Sequence, residues 1–144
     1  MGILSKTCNY GILASIYVAS KNDQKFVPIK EISENLNISF HFLTKILQIL
    51  TQKKIMTSYR GPNGGVSFAR EPNSITVLDI IEALDGADYF ECCILGIPGC
   101  GIDKPCPLHD KWGGIREELK DTFKDETLAA LASRIQSFRL KNSA

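Results

Sequence analysis

The chain has 144 residues, of which 44% are hydrophobic and 23% are charged, and its formal net charge is +1 at pH 7. These values exclude a disordered chain and suit one globular domain with a modest core, or a small domain with an appendage. No apolar run approaches the ~20 residues of a membrane span, and the N-terminal residues lack a secretion-signal pattern. We therefore expect a cytoplasmic protein with no membrane association.

The charge is distributed unevenly along the chain. Residues 35–70 contain no aspartate or glutamate, and their basic residues are Lys45, Lys53, Lys54, Arg60 and Arg70. The other 12 of the 17 basic residues stand against all 16 acidic ones, a balance of −4. An acid-free segment suits a surface that faces phosphate groups, because each neutralised phosphate releases counterions. A solvated basic face is the alternative explanation.

The elements predicted over the first half of the chain are those of a winged helix-turn-helix. An apolar stripe over residues 4–20 predicts a first helix, and Pro28 opens a short second helix over Ile29–Leu36 that Asn37 can end. Ser39 can cap a third helix through its hydroxyl. The apolar face of this third helix is predicted to contain Phe42, Leu43, Ile46, Leu47, Ile49 and Leu50.

Two strands follow the third helix and predict a hairpin, the wing. They cover residues 55–60 and 66–69, and the turn Gly61-Pro62-Asn63-Gly64-Gly65 joins them. Arg60 at the base of the wing can enter a narrow minor groove, and the glycines let backbone amides approach phosphates. A purely structural turn is the alternative explanation for Asn63 and Gly64.

The third helix is the predicted recognition helix. Its polar face offers amide, hydroxyl and ammonium groups without a carboxylate, so it can approach a groove and donate hydrogen bonds to base edges. Any exposed helix face is polar, and only the adjoining wing makes this one distinctive. The predicted DNA-binding residues of the helix and wing are Ser39, His41, Thr44, Lys45, Gln48, Arg60, Asn63 and Gly64.

A cysteine-rich loop follows. Four of the five cysteines lie between residues 92 and 106, with the spacing Cys93-x6-Cys100-x5-Cys106 and then His109. Because the cytoplasm keeps ordinary thiols reduced, this cluster indicates metal ligation or redox chemistry rather than disulfides. Thiolates are soft ligands that suit iron–sulfur clusters, while a structural zinc ion held by the three cysteines and the histidine is the alternative.

Two further apolar stripes follow the loop. Trp112, Ile115, Leu119 and Phe123 recur at helical spacing. The next stripe, after Asp125, contains Leu128, Leu131, Ile135, Phe138 and Leu140. Such a stripe needs a partner, which is either the same helix of a second subunit or the chain's own domain. A two-fold dimer would present two recognition helices to DNA half-sites about one turn apart.

Together these motifs resemble the bacterial iron–sulfur winged-helix transcriptional regulators of the IscR and NsrR type. The resemblance rests on Ile38-Ser39, Phe42-Leu43, Lys45-Ile46-Leu47-Gln48, the wing sequence Tyr59 to Gly65, the segment Val77 to Leu84, and the cysteine loop. It implies a mainly α fold with a small β-hairpin wing and a long C-terminal dimerisation helix. The implied parts are a DNA-binding domain at 1–85, a cluster-binding loop at 86–110 and a dimerisation helix region at 111–144.

The resemblance also implies an iron–sulfur cofactor and a set of ligands for it. Cys93, Cys100 and Cys106 correspond to the family's three cysteines, although Cys92 can substitute for Cys93. The fourth ligand stays open. His109 occupies the position of a ligating histidine in IscR-like proteins and would suit a 2Fe-2S cluster, whereas Cys8 of a partner subunit would complete a 4Fe-4S cluster. Packing on the first helix explains Cys8 equally well.

The predicted function is therefore that of a DNA-binding transcriptional regulator that acts as a homodimer on a double-stranded operator. Of repression and activation, we expect repression. A cluster that senses redox state, nitric oxide or iron supply would set its promoter affinity. An iron–sulfur redox or electron-transfer module that docks to a protein is the alternative. An enzyme is not expected, since no Ser-His-Asp or paired-carboxylate arrangement stands out.

Overall fold

The computed structural model of the chain describes residues 3–21, 23–101 and 103–135. Its helices are α1 (Lys6–Ser20), α2 (Ile29–Leu36), α3 (Phe40–Gln52), α4 (Val77–Asp85), α5 (His109–Asp125) and α6 (Leu128–Arg134). Its strands are β1 (Met56–Tyr59) and β2 (Gly65–Phe68), which pair antiparallel. The order of these elements confirms the predicted winged helix-turn-helix.

Local hydrogen bonds explain where α2 ends and α3 begins. Asn37 ends α2 in the left-handed conformation, with φ at 56°, and the Ser33 hydroxyl donates to the Ile38 carbonyl at 2.6 Å. The Ser39 hydroxyl then accepts a hydrogen bond from the amide of Phe42 at 3.5 Å, which confirms the predicted cap of α3. The turn between the two helices is therefore specified by short polar side chains.

The core lies between the helices and the inner edge of the wing. Helix α3 contributes Leu43, Ile46, Leu47 and Leu50, all buried as predicted. Phe42 departs from the prediction because its side chain is 36% exposed, and its ring meets the edge of the Tyr10 ring with centroids 5.5 Å apart. It therefore covers the junction of α1 and α3 rather than entering the core.

The wing is attached to the segment that precedes α2. Val27 and Val66 exchange two backbone hydrogen bonds of 2.9 Å, so Val27 extends the hairpin by one residue pair. Gly65 allows this contact, because a Cβ atom at that position would lie 2.2 Å from the Val27 carbonyl oxygen. The position of the wing relative to α2 is thus set by backbone contacts.

The predicted C-terminal stripe forms α6 and packs on its own chain. Leu128 is fully buried in the core, and Leu131 and Ile135 pack against it. Of the two partners considered for this stripe, these residues contact the chain's own domain, because α6 folds back onto α1. Backbone hydrogen bonds of 2.9 Å, from Val77 to Glu126 and from Leu128 to Ile75, hold it there. Phe138 and Leu140 lie outside the described residues.

Helix α5 is a separate and more exposed element. Its residues Leu119 and Phe123 pack against a second apolar cluster that contains Cys8 and Phe90. The helix has no fully buried residue, and Ile115 is 53% exposed. Within the described residues, none of the helices is long and apolar enough to cross a membrane.

Candidate metal centre and nucleic-acid interface

The three predicted cysteine ligands converge in the loop that precedes α5. The sulfur atoms of Cys93, Cys100 and Cys106 all lie within 4.8 Å of one another. Gly96 and Gly99 turn the loop back on itself with φ values of 69° and 77°, a conformation that glycine adopts without steric cost. The irregular backbone therefore brings distant cysteines together, as the spacing predicts.

His109 joins this group as the first residue of α5. Its Nδ1 atom lies 3.6 Å from the Cys100 sulfur, and the sulfur atoms of Cys93 and Cys106 are also 3.6 Å apart. A tetrahedral metal ion with bonds of about 2.3 Å separates its ligand sulfurs by about 3.8 Å. The four side chains thus form two donor pairs, each spaced to share a metal ion, and their soft donors fit an iron–sulfur cluster.

Hydrogen bonding prepares Cys93 for the thiolate form. Backbone hydrogen bonds at Ile97 and Leu95, with further bonds to the thiols of Cys106 and Cys100, lower the pKa of Cys93 from 9.0 to about 7, although burial opposes the change. Burial raises the pKa of Cys106. The pKa values of the two neighbouring thiols therefore shift in opposite directions, and Cys93 is the one that ionises more readily.

Cys92 lies outside this group. Its side chain is exposed, and its thiol donates to the Asp88 carbonyl at 3.5 Å. Its own carbonyl accepts a hydrogen bond of 2.9 Å from the Trp112 ring nitrogen. The backbone at Cys92 thus fixes the loop to α5, while the side chain turns away from the other cysteines.

Cys8 is enclosed by its own chain. It is fully buried among Val77, Leu78, Ile81 and Phe90. Burial raises its pKa to about 12, and the nearby carboxylate of Asp85 adds to the increase. Such a thiol resists the ionisation that metal ligation requires. The structure does not bring Cys8 to the other cysteines of the same chain.

The wall of the cysteine site includes two side chains of α5 that the sequence did not single out for this role. Trp112 and Arg116 line a small cavity together with Glu91, the three cysteines and His109. The Arg116 Nε atom is buried and has no hydrogen-bond partner among the described residues. The sequence spacing could have indicated this role for Trp112 and Arg116, because residues 109, 112 and 116 fall on one face of a helix.

The polar face of α3 is exposed where the sequence predicts DNA contact. His41, Lys45 and Gln48 are exposed, so their polar groups are free to approach a partner. The Thr44 hydroxyl instead donates to the Phe40 carbonyl at 2.8 Å, and the Ser39 hydroxyl caps the helix. These last two side chains therefore have structural roles within α3.

An open cleft of about 780 Å³ separates α3 from the wing. Its lining includes Lys30, Gln48 and Arg60 and contains no carboxylate, so the cleft is positively charged. Tyr59 stacks on Phe26 with ring centroids 5.5 Å apart and remains 57% exposed. No sequence pattern marks this aromatic pair as a contact surface, although Tyr59 lies on the wing beside Arg60.

The turn of the wing distinguishes its two candidate residues. Asn63 is exposed at the tip. The amide of Gly64 donates to the Gly61 carbonyl at 3.0 Å, and a Cβ atom on Gly64 would lie 2.3 Å from the Tyr59 carbonyl oxygen. The turn alone thus explains Gly64.

Comparison with known proteins agrees with these features. Residues 4–134 match the family described as "Rrf2: Iron-dependent Transcriptional regulator". A protein of Aquifex aeolicus described as an HTH-type transcriptional regulator is 36% identical over 131 residues, which cover 90% of each chain. The HTH-type transcriptional regulator IscR of Klebsiella pneumoniae is 30% identical over 131 residues, 90% of this chain and 79% of the relative.

A solved structure has the same architecture. CymR (YrzC), the global cysteine regulator of Bacillus subtilis, superimposes with a TM-score of 0.77 at 28% identity, covering 93% of this chain and 98% of the other. The family match extends over the wing, the cysteine loop and α5 alike. The chain therefore belongs to the Rrf2 family of winged-helix transcriptional regulators.

Proposed function

We propose that this transcriptional regulator binds its operator as a homodimer and that an iron–sulfur cluster, held by Cys93, Cys100, Cys106 and His109, sets its affinity. The observation that carries the proposal is the convergence of three thiols and an imidazole beside α5. The proposed setting is the cytoplasm, and repression is the proposed output. When bound, the cluster supplies one-electron redox chemistry and a site that oxidants or nitric oxide can attack.

His109 is the better candidate for the fourth ligand than Cys8. The histidine already lies 3.6 Å from Cys100 through a ring nitrogen. Cys8 is fully buried in its own chain, with its pKa raised to about 12. Ligation of a partner subunit's cluster by Cys8 would require α1 to expose this residue and the thiol to ionise. Ligation by His109 requires neither change.

A single zinc ion is the competing occupant. All three sulfur atoms lie within 4.8 Å of one another, which is compact enough for one tetrahedral ion with the histidine as fourth ligand. The match to an iron-dependent family favours the cluster. Iron, sulfide and zinc counts on the purified protein distinguish the two occupants directly.

The segment before the cysteine loop and the proposed recognition helix α3 both pack on α1. Phe90, which precedes the cysteine loop, packs in one apolar cluster with Cys8 of α1 and Phe123 of α5. One turn further along α1, Gly11 lies against Leu84 of α4 and Ile46 of α3. A change in the loop can therefore shift α1 and with it α3, which would alter the population of DNA-binding conformations.

The proposed homodimer would use the face around α5. Large apolar side chains that are 41–53% exposed lie on the loop and this helix, and such patches mark interaction sites. They are Ile94, Leu95, Ile97, Leu108 and Ile115. A two-fold dimer would place two copies of α3 and the wing on successive half-sites of double-stranded DNA.

The function is tested by measuring DNA binding with and without the cluster. The protein is purified anaerobically, its iron, sulfide and zinc are counted, and its affinity for the DNA upstream of its own gene and for genome-selected fragments is measured at several salt concentrations. We expect affinity to fall steeply with salt and to differ between cluster-loaded and cluster-free protein. Equal affinity in the two forms for every fragment contradicts the switch, and reversible cluster reduction without DNA binding would indicate an electron-transfer module.

His109→Ala and Cys8→Ala provide a matched pair for the ligand assignment. Both changes remove one candidate donor and leave the three loop cysteines intact. We expect His109→Ala to lower the iron content or change the absorption spectrum, and Cys8→Ala to retain both. The opposite result would assign the fourth position to Cys8.

A further inference from the structure

We propose that Arg116 is the electrostatic partner of the bound cluster and that its guanidinium stabilises the reduced, more negative state. This inference rests on the proposed function, because it requires a cluster in the cysteine site. It concerns a residue outside the ligand set, on the helix that supplies His109. Arg116 would act on the cluster's electronic state rather than hold its metal ions.

The placement of Arg116 follows from helix geometry. Residues three and four apart share a helix face, so His109, Trp112 and Arg116 form one row along α5. All three line the same cavity as the cysteines. Trp112 holds this row against the loop through its 2.9 Å hydrogen bond to the Cys92 carbonyl. The arginine is thus part of the wall of the site.

Across residues 3–21, 23–101 and 103–135, the guanidinium has no ion-pair partner. Its buried Nε atom has no hydrogen-bond partner among the described residues. The other charged residue of the cavity wall, Glu91, is paired with Lys120 at 3.8 Å. The remaining ion pairs of the described chain, Arg70–Asp79 and Arg134–Glu126, do not involve Arg116 either.

An anionic occupant of the cavity would remove this imbalance. A buried donor without an acceptor is unfavourable, so native structures usually supply a partner. Thiolate and sulfide atoms around iron carry negative charge and accept hydrogen bonds. A guanidinium beside them therefore gains a charge-assisted interaction, and its Nε donor gains a hydrogen-bond acceptor.

This interaction favours one oxidation state of the cluster. Reduction adds one electron and one negative charge, so a nearby cation and donor stabilise the reduced form more than the oxidised form. Removing the guanidinium should therefore make the cluster harder to reduce. A tenfold change in the reduction equilibrium is expected, which is about 59 mV for a one-electron couple.

The test compares the full-length protein with Arg116→Gln, Arg116→Lys and the control Lys124→Gln. Lys124 is an exposed residue in the last turn of α5, so its substitution removes the same charge from the same helix away from the cavity. The midpoint potential is measured by anaerobic redox titration, and iron release to a chelator is followed by absorbance. Far-UV circular dichroism establishes that each variant is folded.

Arg116→Gln is expected to lower the potential by about 59 mV and to speed iron release about tenfold, while Lys124→Gln changes neither by a comparable amount. Arg116→Lys is expected to fall between the two, because its ammonium keeps the charge without a donor at the Nε position. The lysine variant also tests the proposal if the glutamine variant does not fold. If Arg116→Lys has the same midpoint potential and the same rate of iron release as the unmodified protein, the proposed hydrogen bond from Nε to the cluster is overturned.

The two proposals fail in different ways. Unmodified protein that holds zinc, or no iron and sulfide, overturns the cluster proposal and this inference with it. Unmodified protein that holds a cluster, together with a folded Arg116→Gln variant of unchanged potential and iron release, overturns only the role of Arg116.

Discussion

Gly65 is the residue at which a single methyl group should displace the wing. In Gly65→Ala, the new Cβ atom would lie 2.2 Å from the Val27 carbonyl oxygen and 2.7 Å from the Pro28 nitrogen. These are backbone atoms, and a Cβ atom has no rotamer that avoids them. The strand must therefore move away from the segment before α2.

The cost follows from the contacts that this movement breaks. Val27 and Val66 exchange two hydrogen bonds of 2.9 Å, and losing both costs about 2 kcal/mol. Gly65 also has a φ of 154°, where an alanine adds strain of about 1–2 kcal/mol. We expect Gly65→Ala to lower the free energy of unfolding by about 3 kcal/mol.

Gly114→Ala is the matched control, because both substitutions change the unfolded chain in the same way. Gly114 lies within α5, and a Cβ atom there meets nothing within 4 Å. This variant should be more stable than the unmodified protein by about 0.5–1 kcal/mol, the difference in helix propensity. Urea unfolding followed by circular dichroism gives both values. A Gly65→Ala variant within about 0.5 kcal/mol of the unmodified protein would refute the proposed wing attachment.

Three further experiments test how individual side chains are buried. Leu128 is fully buried at the start of α6, so Leu128→Ala should lower the free energy of unfolding in urea by about 2–5 kcal/mol. The control Ile3→Ala, at a residue that is 61% exposed, should lower it by less than about 0.5 kcal/mol. Similar values for the two variants would contradict the packing of α6 on α1. Burial and the hydrogen bond to Glu31 raise the pKa of Tyr17 from 10.0 to about 12, so its contribution to stability is complete below pH 10 and is lost as the pH rises toward 12. Tyr17→Phe should reduce this loss, as measured by unfolding at about pH 9 and pH 11. In metal-free protein at about pH 8, iodoacetamide should label the readily ionised Cys93 and the exposed Cys92 early, and Cys8 only on unfolding, because Cys8 is buried with a pKa of about 12; equal rates for all three in mass spectra of the digest would show that α1 opens.

Much of the fold could be predicted because its signals are local. The Ser39 cap, the end of α2 at Asn37 and the glycine-rich turn of the wing each depend on a few neighbouring residues, and all three occur as expected. The convergence of Cys93, Cys100 and Cys106 was also predictable, since glycines turn the loop between them. Such features require no knowledge of distant contacts.

The C-terminal helices show where local patterns are insufficient. An apolar stripe indicates that a helix face is covered but not which surface covers it. Thr127 caps a new helix by accepting a hydrogen bond from Ala130, so the chain turns after α5 and places Leu128 in its own core. The bridge between Thr76 and Thr127 that supports this turn joins residues 51 positions apart. The covering surface was therefore set by tertiary contacts.

The anchoring of the cysteine loop bears on how a change in the cluster could reach DNA. Protein contacts that involve no metal hold the loop at its ends: buried Phe90 lies just before it, and the hydrogen bond from Trp112 of α5 to the Cys92 carbonyl ties its first residues to the helix at its other end. Between them, Ile94, Leu95 and Ile97 are about half exposed. Because the ends are fixed, loss of the cluster should rearrange the exposed middle first, and that part carries the apolar residues proposed to meet a second subunit. In the proposed homodimer, the subunit interface is therefore a more direct route to the spacing of the two α3 helices than deformation of the core within one chain.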